Sequence, residues 1–238
     1  MSTGGPTSDS TLNIENTNID TAAGVSLSDQ QKTIVGSVLD LFAGRPSLAK
    51  LQLWSDNATF SDPITIATGR DKYQAQWYGL QSAFSSIERL HHSVTDAGNP
   101  ILMDLKTKYT IKGIGKEQTI SSVVAIYLDS QGKIEKLEDR WNGELPDSKI
   151  ANVSSVFTLL SPFWWVNYWG AWAFWGWSFT WETKVWRVRG SPLLLAILMC
   201  GNQLLTTLIQ AFRHLNAVTV PKMINVPKDA EEDAKRGN

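Results

Sequence analysis

The chain is short of cysteine, of histidine and of net charge. Its 238 residues hold one cysteine, Cys200, so no internal disulfide can form and a zinc site built on several thiolates is excluded. Lys and Arg number 22 against 23 Asp and Glu, a net charge of −1, which leaves no field to draw in nucleic acid or an anionic membrane. Residues 1–31 contain no Lys or Arg and no apolar run, so a secretory signal is not expected there. The sequons at Asn57 and Asn152 carry little weight without secretion. The expected location is the cytoplasm, or a membrane surface facing it. A phosphate-cradling glycine loop, Gly-x-Ser-x-Gly and His-Glu-x-x-His are all missing. "GIGKEQ" (113–118) lacks the full phosphate-loop pattern and reads as a hairpin turn. Nucleic acid, metal and cofactor are therefore not expected. Cofactor-free proton chemistry, or binding alone, is what remains.

Residues 1–26 are rich in Ser, Thr, Gly and Asn, and they are expected to form a disordered tail. Ser28 and Gln31 have capping-box spacing, and Ile34, Val35, Val38, Leu39, Leu41 and Phe42 then fall on one helical face. Gly44 and Pro46 stop this helix, and Ser47 caps a short second one carrying Leu48, Leu51 and Trp54. "WSDNATFSDP" reads as an extended turn region. A third helix follows Gly69, with Tyr73, Trp77, Leu80 and Phe84 on one face.

Beyond Gly98 the period changes to two. Met103, Leu105, Thr107, Tyr109 and Ile111 alternate with charged residues, which predicts a strand with one wet face. "TISSVVAIYL" predicts a more buried strand, and "KIEKLEDRWNG" alternates again after a turn at Ser130-Gln131-Gly132. Helices followed by a meander of long strands predict an α+β fold, with helices packed on one face of a curved antiparallel sheet.

"LWSDNATFSDP…GRDKYQAQWYGL" ahead of the strands, with "EDRWNG" on the last one, resembles fungal members of the SnoaL-like, nuclear-transport-factor-two-like superfamily. The resemblance covers about residues 27–146, and "AFRHLNAVTVPKMINVPKDAEEDAKRG" resembles that family's C-terminal segment. It implies a cone: N-terminal helices close a strongly curved antiparallel sheet around a pocket for a small hydrophobic molecule. It also implies dehydratases, isomerases, cyclases and pure binding domains as the range of functions, and makes a homodimer plausible. The expected organisation is a tail (1–26), a cone domain (27–150), a hydrophobic insertion (151–210) and a family-like C-terminal segment (211–238).

The insertion is the least ordinary part of the chain. Seven of the nineteen residues from Phe163 to Trp181 are Trp, and residues 150–181 and 190–212 carry no charge. Each run is long enough for a bilayer, which needs about 20 apolar residues. Against a membrane hairpin, Trp is spread through the run, Asn167, Asn202 and Gln203 need partners in lipid, and basic residues choose no side. Three readings stand: a membrane-associated hairpin, a folded cap on the cone, and translated non-coding sequence interrupting an ordinary domain.

A pocket enzyme of this kind needs an ionisable group desolvated in an apolar cavity, where a carboxyl is pushed towards neutrality. Ketosteroid isomerase, a member of the superfamily, uses two Asp residues tuned in this way. Asp139 is the first candidate, because Leu137, Asp139 and Trp141 share a face by the period of two. The plainer alternative pairs Asp139 with a neighbouring cation. His92 shares the more apolar set with Leu90 and Val94, and His91 points the other way. A His92–Asp139 pair on neighbouring strands would resemble the acid/base pairs of scytalone-dehydratase-like members. Tyr109 is placed to orient a carbonyl. Trp141, Trp77, Tyr73, Tyr78 and Asp62 are candidate ligand contacts, although an aromatic stripe on a helix is more often core, and Asp before Pro often only starts a turn.

Overall fold

The computed structural model describes residues 12–113, 115–142 and 210–235. The chain divides into two compact units, Met1–Leu145 with Ala211–Asn238, and Pro146–Gln210. Apart from Gln210 the second unit lies outside the described residues, and with it all three readings of the Trp-rich insertion. Among the described residues no helix is long and apolar enough to cross a membrane.

The first helix, α1 (Asp29–Phe42), starts where the capping box predicts. Ser28 Oγ accepts the Gln31 amide, and the Gln31 side chain accepts the Ser28 amide. Its predicted apolar face is buried throughout. Ser47 caps α2 (Leu48–Leu51), and α3 (Arg70–Ala83) follows Gly69. The strands are β1 (Trp54–Asp62), β2 (Thr65–Thr68), β3 (Phe84–Asp96), β4 (Ile101–Ile111), β5 (Glu117–Leu128) and β6 (Ile134–Trp141). Residues 210–223 are helical (α4), and Asp229 caps a final short helix, α5 (Ala230–Ala234).

The strands form one six-stranded sheet in the order β2-β1-β6-β5-β4-β3. The architecture is α+β, with a curved, unclosed sheet and helices on its concave face. All neighbours are antiparallel except β1 and β6, which run parallel. On β4 the alternation is nearly strict: Met103, Leu105, Thr107, Tyr109 and Ile111 are buried. Trp77 forms the centre of the helix–sheet contact. Its ring lies 5.1 Å from Phe42, 5.9 Å from Trp54 and 4.8 Å from Phe60.

Two expectations are corrected. "WSDNATFSDP" is not a turn region, because its first nine residues are the strand β1. Ser55, Asp56 and Asn57 look like turn residues, but they lie in a stretch where the register of β1 on β6 shifts, between Trp54 and Thr59. The tail expected over 1–26 is packed from Leu12 onward. Val94 donates its amide to Asp20 O and accepts from the Ala22 amide, both at 2.8 Å, so this segment straps the β3 edge. Asp40, buried in α1, accepts the Glu15 amide at 2.9 Å and the Asn16 amide at 3.2 Å. Composition misleads here because a few apolar side chains, Leu12 buried and Ile19 and Val25 against the core, act together with backbone bonds to a buried carboxylate.

Gly36 on α1 has the matching role. A Cβ there would meet the Asn16 carbonyl oxygen at 2.5 Å. Glycine weakens a helix interior by about 1 kcal/mol, and here that cost permits the close approach of the strap.

A buried carboxyl pair on the concave face

The parallel register of β1 on β6 builds the site. Phe60 lies beside Leu137 and Ser61 beside Glu138, so Asp62 and Asp139 follow one residue on, both on the face of Phe60 and Leu137. Asp62 is 8 % exposed and Asp139 6 %. Two carboxyls thus stand side by side on adjacent strands, both buried.

Their remaining contacts differ. Asp62 Oδ1 accepts the Ile64 amide at 2.8 Å, closing the β1–β2 turn. Asp139 Oδ2 accepts the Trp141 indole N–H at 2.8 Å, and the Ser122 hydroxyl lies against the same carboxyl, although no bond of ordinary geometry reaches the buried Oδ1 among the described residues. Trp141 therefore turns its indole back onto Asp139. The alternative in which Asp139 pairs with Arg140 is excluded, since Arg140 pairs with Glu138 on the other face.

Burial pushes the Asp62 carboxyl up to about 7, with the Asp139 charge adding to it and the Ile64 amide and Arg213 opposing it. Burial likewise takes Asp139 up to about 6, against the lowering effect of the Ser122 hydroxyl and the Trp141 indole. Two adjacent carboxyls resist ionising together, so near neutral pH the pair tends to hold one proton. One member is then an acid and the other a base.

Tyr109 is buried on β4, with its ring 4.9 Å from Phe84. Burial raises its phenol well above the ordinary value, and the Asp139 and Asp62 charges raise it further. Thr107, two residues back on the same face, sets its buried hydroxyl against the Tyr109 phenol and opposes this rise without cancelling it.

His92 is not part of this group. β5 and β4 separate its strand from that of Asp139, so the expected pairing on neighbouring strands does not occur. Its Nε2 instead accepts the Asp20 amide at 3.1 Å and helps hold the strap. Burial, and next to it the Arg89 charge, lower its pKa. A polar groove of about 470 Å³ runs between the strap and β3, lined by Asn16, Asp20, Arg89, His91 and His92 among others, and it contains neither Asp62 nor Asp139.

Tyr73, Trp77 and Tyr78 serve packing. Tyr73 stacks on Trp54 at 5.0 Å, and its hydroxyl donates to Ser55 O at 3.3 Å. The Tyr78 hydroxyl donates to Asp233 Oδ1 at 2.6 Å, fastening the C-terminal segment. Among the described residues no three His, Cys, Asp or Glu side chains are grouped to hold a metal ion.

Sequence reasoning missed Arg213 altogether. It is 1 % exposed, and its Nη2 donates to Ser61 Oγ at 2.8 Å. A signal was available: Arg213, Ala217 and Val220 fall at i, i+4 and i+7, which sets a cation in the buried stripe of a helix.

Solved structures similar to this chain include an NTF2-like protein of unknown function from Burkholderia pseudomallei, 14% identical with a TM-score of 0.45, covering 57% of this chain and 99% of that one. A putative polyketide cyclase from Silicibacter is 15% identical, with a TM-score of 0.40 over 50% of this chain and 93% of its own. The epoxide hydrolase/cyclase-like enzyme SalBIII, of pyran ring formation in salinomycin, is 21% identical, with a TM-score of 0.39 over 47% of this chain and 89% of its own. Such scores bear on neither reaction nor ligand. No protein-family model matches the chain, and no curated protein matches it.

Proposed function

We propose that the chain binds a small hydrophobic molecule against the concave face of the sheet and moves a proton on it, as a cofactor-free isomerase, dehydratase or cyclase. The observation carrying this reading is the Asp62–Asp139 pair: two buried carboxyls side by side, both raised towards neutrality. Asp139 is the base, because it is the less strongly raised of the two and gives up its proton first. Asp62 is the acid, being the more strongly raised of the two. Tyr109 orients an oxygen of the substrate. A binding domain without turnover is the second reading, favoured by the tie of Asp62 Oδ1 to its own turn.

The small molecule that co-purifies with the full chain is to be identified by mass spectrometry and then offered back to the protein. Wild-type protein should convert it, and Asp139→Asn should bind it while losing at least about 100-fold in rate. Undiminished turnover in that variant retires the catalytic assignment. Binding without conversion by the wild type establishes the second reading.

A further inference from the structure

The turn that carries Asp62 is held from outside the sheet. Three hydrogen bonds reach it from α4. Arg213 Nη2 donates to Ser61 Oγ at 2.8 Å, and Asn216 Nδ2 donates to Ile64 O at 3.2 Å and to Thr65 Oγ1 at 2.7 Å. Arg213 is among the largest fully buried side chains of the described residues. A guanidinium does not deprotonate in proteins, so this one brings a full positive charge into the interior. Burying such a charge is costly unless negative charge lies close by. The residue after Ser61 is Asp62, with Asp139 beside it on β6.

We propose that Arg213, supplied by the C-terminal helix, is a positioning residue of the carboxyl pair: it fixes the turn carrying Asp62, and its charge favours the ionised form there. Among the described residues, the charged and titratable groups facing Asp62 are Asp139 from β6, Tyr109 from β4 and Arg213 from α4. Burial and Asp139 act to keep the Asp62 proton on, and Arg213 acts to release it. With Arg213 present, the pair loses its last proton near neutral pH. Without it, the last proton is held into the alkaline range, so the pH at which the pair passes from one acid and one base to two bases moves up. The C-terminal segment is then part of the site, although it joins the sheet only after the long hydrophobic insertion in sequence. The proposal rests on the reading of the pair as the proton-transfer centre.

The test is a carboxyl-carbon NMR titration of the full-length, ligand-free protein from pH 4 to 9, with Asp62 and Asp139 assigned through their Asn variants. Arg213→Gln keeps a donor for Ser61 and removes the charge, Arg213→Met removes both, and Arg213→Lys keeps the charge. Gln and Met should each raise the Asp62 midpoint by about one pH unit, about tenfold in proton affinity, while Lys stays close to wild type. A Gln midpoint equal to wild type overturns the proposal, as does a Lys midpoint displaced as far as that of Gln. Should Gln and Met fail to fold, a folded Lys variant with the wild-type midpoint supports the charge requirement. Failure of all three to fold leaves Arg213 a packing role and overturns it. Because no ligand is present, this result is separate from the turnover of Asp139→Asn.

Discussion

Asp62 and Asp139 carry a cost the fold must bear. Both are raised in the folded protein above the ordinary carboxyl value of 3.8, to about 7 and about 6. Below pH 3.8 both are neutral in folded and unfolded chains, and no charge is buried. As pH rises from there, the unfolded chain loses its protons first, so stability falls until about pH 7 and then levels off. Asp62→Asn removes the charge at every pH. It should therefore match wild type near pH 4 and exceed it at pH 8 by a few kcal/mol, on the order of 1.4 kcal/mol per unit of displacement. Urea unfolding at the two pH values measures this, and a variant equal to wild type at pH 8 contradicts the burial argument. A gain in stability paired with a loss of proton transfer is the usual signature of a functional group held against its preference.

Asp40 behaves in the opposite way. It too is buried, but Arg45 at 2.8 Å and Lys50 at 3.0 Å pair with it, and strap amides donate to it. Burial pushes its carboxyl up, but these partners outweigh burial and hold it below the usual range. Asp40→Ala leaves Lys50 buried without its counter-charge, and should cost about 3–5 kcal/mol. The two cases separate a structural carboxylate from a candidate functional one by the company each keeps. Spacing in the chain does not distinguish them: Asp40 is simply a polar residue on a helical face.

Among the elements, the strap over β3 depends on a neutral imidazole. His92 Nε2 accepts the Asp20 amide, which a protonated ring cannot do. The folded-state pKa of His92 is lowered below 6.5, so its contribution is complete above pH 6.5 and is lost as pH falls below that value. Hydrogen exchange at the Asp20 and Ala22 amides should accelerate between pH 6.5 and 5, after correction for intrinsic rates, more than exchange at the Val35 amide in α1. Equal changes at all three sites would mean that the strap does not respond to His92. Gly36→Ala should also release the strap, while the helix itself gains. The helix starts and β4 were legible because caps and side-chain periods are local signals, whereas Trp54 and Phe84, read onto helical faces, instead open β1 and β3. β1 was not, because its Ser, Asp and Asn residues follow turn statistics while the pairing with β6 that makes it a strand lies far along the chain.

For the whole molecule, the C-terminal segment should behave as a bound part of the sheet unit. Arg213, Asn216, Tyr78 and the Leu48 amide all join it to that unit, the last through Asp233 Oδ2 at 2.6 Å. Val220 and Ile224 pack against Gly79 of α3. A protease site engineered between residues 143 and 209 should therefore give a nicked protein whose C-terminal piece co-elutes with the sheet on gel filtration. Loss of that piece under native conditions would show that these contacts do not suffice to retain it.

Local chemistry alone settled that α1 begins at Ser28, that β4 buries every second side chain, and that Asp139 shares the inward face with Leu137. Each follows from a period or a cap within a few residues. The partner of Asp139 was decided only by folding. Asp62 comes beside it because β1 runs parallel to β6, and Arg213 reaches Ser61 across 152 residues of chain. No local pattern encodes such contacts, because they exist only once the sheet has closed its register and the helices have covered its concave face.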